Sequence, residues 1–354
     1  AFLSRCGVVS TKNDVVKDAA SNEPLLWEHL ITTWIGETQV RILTLRPYVN
    51  ILQGLFASLL KPCVQFAMKN AASCPENSNH RLQLDQTWVV SSFLRLFECY
   101  LKDFKASTSE EVKRELRAAG DNKRVSAAVI EQLEKPKVLS MHADLIISNL
   151  QNVFLESLVW TLNPFFSREG QKRLDSFIRE LISKFPKKSP EHVQSMAEDW
   201  REVKAQSFMK EIPALDIRQE VGLISDHVYN SDTQSWKAFV SNEYAHPIPD
   251  HISTVNIFQR GYIIPTTDYA RGVASVTKLL LGGNNVVVVG ELSSGKQAIV
   301  NNALGNLVEE VFSTTKLHFD QGTTANLVRA KIDEGLVTYR KGLRQPASEK
   351  RLVV

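Results

Sequence analysis

The chain of 354 residues is long enough to bury more than one core, and its 43% hydrophobic and 23% charged content is that of an ordinary soluble protein. With 42 basic and 39 acidic residues the net charge is only +3, and the basic residues are scattered, so a nucleic-acid footprint is not expected. Four cysteines (Cys6, Cys63, Cys74, Cys99) form no C-x-x-C pair and point to a reduced, cytosolic setting rather than a disulfide framework.

Both ends read as the inside of a sheet: the chain opens on AFLSRCGVVS and closes on Lys350-Arg351-Leu352-Val353-Val354. Strands left there would carry unpaired backbone groups, so the expectation is a piece of something larger, truncated at both ends. Residues 25–35 follow Pro24 and place Leu26, Leu30 and Trp34 at helical spacing. A long helical region over 39–72 follows, with Leu52, Phe56, Leu59 and Leu60 on one face, ended or kinked at Pro47 and Pro62. A polar loop, SCPENSNHR, leads into the clearest amphipathic helix, 84–104, striped by Val89, Phe93, Leu96, Phe97, Tyr100 and Phe104.

The charge-dense residues 105–137 are expected as a solvated helix or insertion. Residues 139–162 are apolar nearly all round and are expected as the central helix of a bundle, ended by Asn163-Pro164. No apolar run reaches the ~18 residues a membrane helix needs, since 145–162 is broken by Asn149, Gln151, Asn152 and Glu156; neither a membrane span nor a signal peptide is expected. A second amphipathic helix, 167–185, has Ser167 as N-cap and Glu169 in its first turn. Residues 213–258 read as mixed, with short strand-like pieces around Trp236 and the Pro247/Pro249 pair.

From residue 264 the pattern changes. Ile264-Pro265-Thr266-Thr267-Asp268 caps a helix over 269–281, whose end is signalled by Gly282-Gly283. The four β-branched residues Val286 to Val289 are expected as a strand buried on both faces. They run into Gly290-x-x-x-x-Gly295-Lys296 and a helix with Ile299, Ala303, Leu304 and Leu307 on one side. Strand, glycine-rich turn, lysine and helix make the P-loop context, in which backbone N–H groups cradle phosphate and the lysine adds a point charge. Position 297, where Ser or Thr would hold Mg²⁺, is Gln. Nucleotide binding is therefore expected, and metal-dependent catalysis at this loop is not. Beyond it, 316–319 reads as a strand, 325–334 as a helix, and 341–350 as a loop before a last strand. The first two hundred residues are thus mostly helical and the last hundred α/β.

Taken in order, these segments resemble a dynein heavy chain, over the piece spanning the second and third AAA+ modules of its motor ring. The residues that carry the resemblance are Ser4-Arg5-Cys6-Gly7, Leu26-Trp27, Leu94-Arg95-Leu96-Phe97-Glu98, VFLESLVWTL at 153–162 and KRLDSFIRE at 172–180. It continues through IPTTD at 264–268, the P-loop, Thr323-Thr324-Ala325-Asn326, Ile332-Asp333 and Arg340-Lys341-Gly342, which are more similar to axonemal than to cytoplasmic chains. Only the P-loop is specific alone; order and spacing carry the rest.

The resemblance implies an α/β P-loop NTPase of the AAA+ class with a large helical subdomain, mostly α overall. It implies an end of a preceding large subdomain over 1–24, a helical small subdomain over 25–200, a connecting segment over 201–258, and the start of the next large subdomain over 259–354, stopping before Walker B. It further implies ATP or ADP as ligand at Gly290, Gly295, Lys296 and Gln297, with Mg²⁺ weak or absent, and Ile264 and Pro265 against the adenine. Arg5 would reach the nucleotide of the preceding module as an arginine finger; the plainer alternative is an ordinary salt-bridged arginine. Implied partners are neighbouring AAA+ modules, microtubules, and dynein light and intermediate chains, in cytoplasm, cytoskeleton and axoneme. Glu291 and Gln297 depart from the family's loop and put Mg²⁺-dependent hydrolysis there in doubt. Two other readings stay open: a stand-alone P-loop NTPase with a helical accessory domain, and a degenerate loop serving only in packing. Trp160, Trp200 and Trp236 are expected as core or interface aromatics, and the eight histidines form no metal-ligand cluster.

Overall fold

The computed structural model describes residues 26–73, 86–106, 135–184, 222–231, 233–239, 266–290, 294–307, 311–340, 343–346 and 351–354. Arg5, Ile264, Pro265, Trp200 and nearly all of the charge-dense 105–137 stretch lie outside them.

The first helix, α1 (Leu26–Arg41), buries Trp27, Ile31, Trp34 and Ile35 and gives way to a 3-10 turn, Leu43–Tyr48, that carries Pro47. The chain then runs through α2 (Val49–Leu55), a wide π-type turn (Phe56–Leu60) and α3 (Lys61–Ser73). The wide turn sits where it is needed. Pro62 has no N–H to give to the carbonyl four residues back, and the extra residue in the turn lets the helix continue past it.

Next comes α4 (Gln86–Tyr100), extended by a 3-10 turn, Leu101–Phe104. Its predicted stripe holds: Val89, Phe93, Leu96, Phe97 and Phe104 are buried and Tyr100 is half-buried. Against it lies α5 (Ala143–Leu162), in which every residue from 149 to 162 is buried. The central-helix expectation stands, though α5 begins four residues later than predicted and Leu139 is exposed. The Phe154 ring is the hub of the core, at 5.0 Å from Phe93 and 5.3 Å from both Phe56 and Phe97, mostly edge to face. The hydroxyls near the end of α5 are satisfied within the helix itself: the Ser157 hydroxyl donates to the Val153 carbonyl at 2.8 Å, and Thr161 to the Ser157 carbonyl at 2.7 Å.

One sequence expectation needs correction. Two helical stretches, Leu43–Asn70 and Leu145–Phe165, are long and apolar enough to cross a membrane. The second is 83% buried within the protein, and its apolar surface faces the bundle core rather than lipid. The interrupting polar residues are too few to lower its mean hydropathy below that of a membrane-length apolar helix.

The amphipathic helix α6 (Arg168–Lys184) starts as predicted, with the Ser167 hydroxyl accepting from the Gly170 N–H at 3.3 Å. Phe177 on α6 stacks on Phe66 of α3 at 4.4 Å. A short antiparallel hairpin, β1 (His227–Asn230) and β2 (Ser235–Ala238), pairs Tyr229 with Trp236. Trp236 Nε1 donates to Asn152 Oδ1 on α5 at 3.0 Å, while Trp160 meets Phe239 edge to face at 5.5 Å. These two tryptophans behave as predicted.

The C-terminal unit holds α7 (Thr267–Leu281), α8 (Lys296–Gly305), β3 (Phe312–Thr314), α9 (Ala325–Glu334), β4 (Leu336–Arg340), β5 (Leu343–Pro346) and β6 (Arg351–Val353). Strand β3 pairs in parallel with β6, Phe312 opposite Arg351. The second strand thus lies at Phe312–Thr314, not 316–319: Phe312 is buried, whereas Phe319 is exposed and anchors nothing. The loop expected over 341–350 is overturned at Leu343–Pro346, where β5 pairs antiparallel with β4, Val337 opposite Gln345. The β-forming residues of β4 find their ladder partner in the same connection.

Candidate nucleotide-binding site

The site is built on two packed helices, α7 and α8. Helix α7 begins with the Thr266 hydroxyl accepting from the Tyr269 N–H at 3.2 Å. It ends with the Asn284 N–H reaching the Leu279 carbonyl at 3.0 Å and the Gly283 N–H reaching Leu280 at 2.9 Å. This is a Schellman closure, and it requires the left-handed φ of +75° found at Gly283. The chain then turns and runs extended over 284–290 towards the loop.

That extended run differs from the predicted strand. Val286 and Val288 pack against Val273, Val276 and Ala303, but Val287 is 85% exposed and Val289 60%. Side chains alternate along extended backbone, and α7 and α8 cover one face only. Four consecutive valines therefore do not mean burial on both faces here, and the run has no ladder partner among the described residues.

The loop's glycines are there for two separate reasons. At Gly290 a Cβ would come 2.8 Å from Ser294 Oγ and 3.4 Å from Lys296 Cδ, so a side chain would fill the space the loop closes around. Gly295 has φ +82°, a left-handed residue placed immediately before α8. The Ile299 N–H bonds to the Gly295 carbonyl at 3.0 Å, which leaves the first N–H groups of α8 directed at the loop mouth. Lys296 Nζ folds back over the loop, donating to the Gly290 carbonyl at 2.7 Å and to Ser294 Oγ at 3.4 Å. Gln297 is exposed on the first turn. Gly290, Gly295, Lys296 and Gln297 are thus brought together. Spare helix N–H groups, two glycines and one ammonium are chemistry that suits a phosphate group; position 297 offers an amide where a hydroxyl would hold Mg²⁺.

Sequence reasoning missed what holds these helices. The Tyr269 hydroxyl donates to the Ala298 carbonyl at 3.4 Å and accepts from Asn302 Nδ2 at 3.1 Å, pinning α7 to α8. Gly272 lets Ile299 lie close, since a Cβ there would be 3.1 Å from its terminal methyl. Arg271, buried on α7, pairs with Asp268 at 3.0 Å and with Asp226 in the turn before β1. Asp226 also receives Arg168 from the start of α6 at 3.3 Å and the Leu223 N–H at 3.0 Å. Burial alone would raise this carboxyl, but the Leu223 N–H and the two guanidiniums together hold it below the usual carboxylate range. The turn is itself tied to α6: Ile224 N–H donates to Asp175 at 2.7 Å, and Arg179 bonds the same carboxylate at 2.7 Å. Nothing in the spacing of these residues marks them, because the partners come from four separate stretches.

A helical bundle joined through such contacts to a helix pair that flanks a glycine-bearing loop fits a helix-rich piece of a P-loop protein of the AAA+ class. Residues 52–241 match the dynein heavy chain AAA lid domain, and residues 253–354 the P-loop containing dynein motor region. The chain belongs to the dynein heavy chain AAA lid family. It is 25% identical to dynein axonemal heavy chain 3 of Mus musculus over all of this chain and 7% of that protein. To dynein axonemal heavy chain 12 of Rattus norvegicus it is 23% identical, over all of this chain and 10% of the relative. The dynein-1-beta heavy chain of the flagellar inner arm I1 complex of Chlamydomonas reinhardtii is 22% identical over 56% of this chain and 4% of its own length. The chain spans a tenth or less of the length of these relatives.

Proposed function

We propose that this chain is a segment of a dynein motor ring spanning the end of the second AAA+ module and the start of the third. Its degenerate P-loop holds ATP or ADP as a structural or slowly exchanging regulatory ligand, with little dependence on Mg²⁺. What supports this reading is Lys296 folded onto the Gly290 carbonyl and a left-handed Gly295 opening α8, together with an exposed glutamine at position 297, where a metal-holding hydroxyl belongs. On this reading the helical small subdomain covers 25–200 and the next large subdomain starts near 259. Arg5 would act in trans on the preceding module's nucleotide, and Ile264 and Pro265 would contact adenine. The parent protein would be an ATP-driven microtubule motor of the axoneme, assembled with light and intermediate chains.

The test is calorimetric titration of the heavy chain with ADP and ATP, with and without EDTA. Expected is binding that survives EDTA, that Lys296→Ala abolishes, and that gains Mg²⁺ dependence in Gln297→Thr. Binding by the unsubstituted protein that collapses on EDTA would show that another group holds the metal and would end the metal-poor reading. Unchanged binding in Lys296→Ala would end the assignment of the loop.

A further inference from the structure

The helix that leads towards the loop is held by the bundle at both ends. Near its start, Arg271 pairs with Asp226 of the turn before β1. Towards its end, Lys278 places Nζ 2.9 Å from the ring centroid of Tyr100 on α4. The Tyr100 hydroxyl donates at 2.7 Å to Glu156, completely buried in the middle of α5. Just past that end, Asn284 Nδ2 reaches Cys99 Sγ of α4 at 3.2 Å. Helix α7 is therefore a fixed support. Among the described elements it is the principal neighbour of α8, the helix that opens with Lys296.

The face of α7 turned to α8 carries Tyr269, Gly272, Val273 and Val276, at the i, i+3, i+4, i+7 spacing of one helix face. Gly272 admits Ile299, and the two valines meet Ala303. Tyr269 works nearest the loop. Its hydroxyl donates at 3.4 Å to the carbonyl of Ala298, two residues after Lys296, and accepts at 3.1 Å from Nδ2 of the buried Asn302. One oxygen thus grips the first turn of α8 and the next. Its own place is fixed from two sides. The Tyr269 N–H is held by Thr266 at 3.2 Å, and the ring packs on the valine–alanine cluster.

We propose that Tyr269 is the positioning residue of the phosphate loop: through the Ala298 carbonyl and the Asn302 amide it sets where the first turn of α8 stands, and so where that turn's free N–H groups and Lys296 are aimed. Its effect on ligand rests on the reading of the loop as a phosphate site. The physical ground is pre-organisation. N–H groups already in place bind phosphate without the ordering cost that a loose turn would meet on binding. The valines and Ala303 hold the two helices together, but apolar contact is non-directional. A hydrogen bond has a preferred distance and angle, and fixes the turn in a way that methyl contacts do not. The Tyr269 hydroxyl is engaged with α8 on both sides, so it acts through the helix rather than on the ligand.

Tyr269→Phe in the heavy chain keeps the ring and removes only the hydroxyl. Calorimetric titration with two probes, ADP and inorganic pyrophosphate, reads its effect, and the loop's own share of binding is the part that Lys296→Ala abolishes. That part should weaken about fivefold for both probes alike. Combined with Asn302→Ala the loss should be smaller than the sum of the two single losses, because both act through one hydroxyl. A drop in thermal stability with unchanged affinity for both probes would make Tyr269 a structural pin alone and overturn the proposal. A loss for ADP without one for pyrophosphate would place its effect away from the phosphates and overturn it as well. If Tyr269→Phe does not fold, Asn302→Ala alone decides in the same titration: weakened binding supports the role and unchanged binding sinks it. If Lys296→Ala removes no binding, the loop reading fails, and amide exchange at Ile299 decides the positioning by itself. The Ile299 N–H closes on the Gly295 carbonyl at 3.0 Å. Its exchange should quicken about fivefold in Tyr269→Phe while that of α5 stays unchanged, and an unmoved rate at Ile299 would end the positioning role too.

Discussion

The two halves of the molecule are held together by different physics. The bundle has one continuous core running from Trp27 on α1 to Tyr229 on β1, centred on stacked and edge-on phenylalanines. Among the described residues, the C-terminal unit has a small core cluster of Val273, Val276 and Ala303 around its helix pair, and relies on caps, left-handed glycines and hydrogen bonds such as those of Tyr269. Its firm attachments are to the bundle, through Arg271 at one end of α7 and Lys278 at the other. The loop is thereby carried by a weakly cored unit braced against a strongly cored one.

This contrast can be broken first in the bundle. Phe154→Ala removes a completely buried ring that three other phenylalanines touch, and should cost about 3–5 kcal/mol of unfolding free energy. Denaturant unfolding followed by tryptophan fluorescence measures it. A loss below about 1 kcal/mol would mean that the site collapses and that the aromatic cluster is not the main support.

A smaller effect is expected at the joint. Asp226→Asn keeps the shape of the turn but removes the charge shared by Arg168 and Arg271, leaving the buried Arg271 guanidinium with exposed Asp268 alone. The expected cost is about 2 kcal/mol. Exchange protection should fall at the start of α7 and not in α5. A uniform loss across both would show that bundle and C-terminal unit unfold as one.

Much of this was legible in the sequence. The stripes of α4 and α6, the all-round apolarity of α5, the cap at Thr266 and the glycine stop after α7 follow from local rules acting within one or two turns. The loop was legible for the same reason, since its glycines and lysine lie within six residues of one another. The Asp226 hub and the Glu156–Tyr100–Lys278 cluster were not, because each is assembled from distant stretches and no spacing encodes them. Glu156 did leave a trace as an acid in the middle of an apolar helix, but by sequence it read only as a break in a membrane run. The β4–β5 pairing was missed because a glycine after Lys341 suits a loop as well as a hairpin.

The smallest expected effect bears on the valines, where the sequence reading failed. Val287→Ser changes a side chain that is 85% exposed, and should alter stability by no more than about 0.5 kcal/mol. Its neighbour Val288 packs on α7 and α8, so Val288→Ser should cost about 1–2 kcal/mol through lost apolar burial and a hydroxyl placed on an apolar face. Thermal unfolding of the two variants side by side separates one covered face from two. Unequal costs, with position 288 the larger, sharpen the picture of a strand packed on one side. Equal costs would mean that the outer face is covered as well, and the four-valine run would then be the doubly buried strand that its composition suggests.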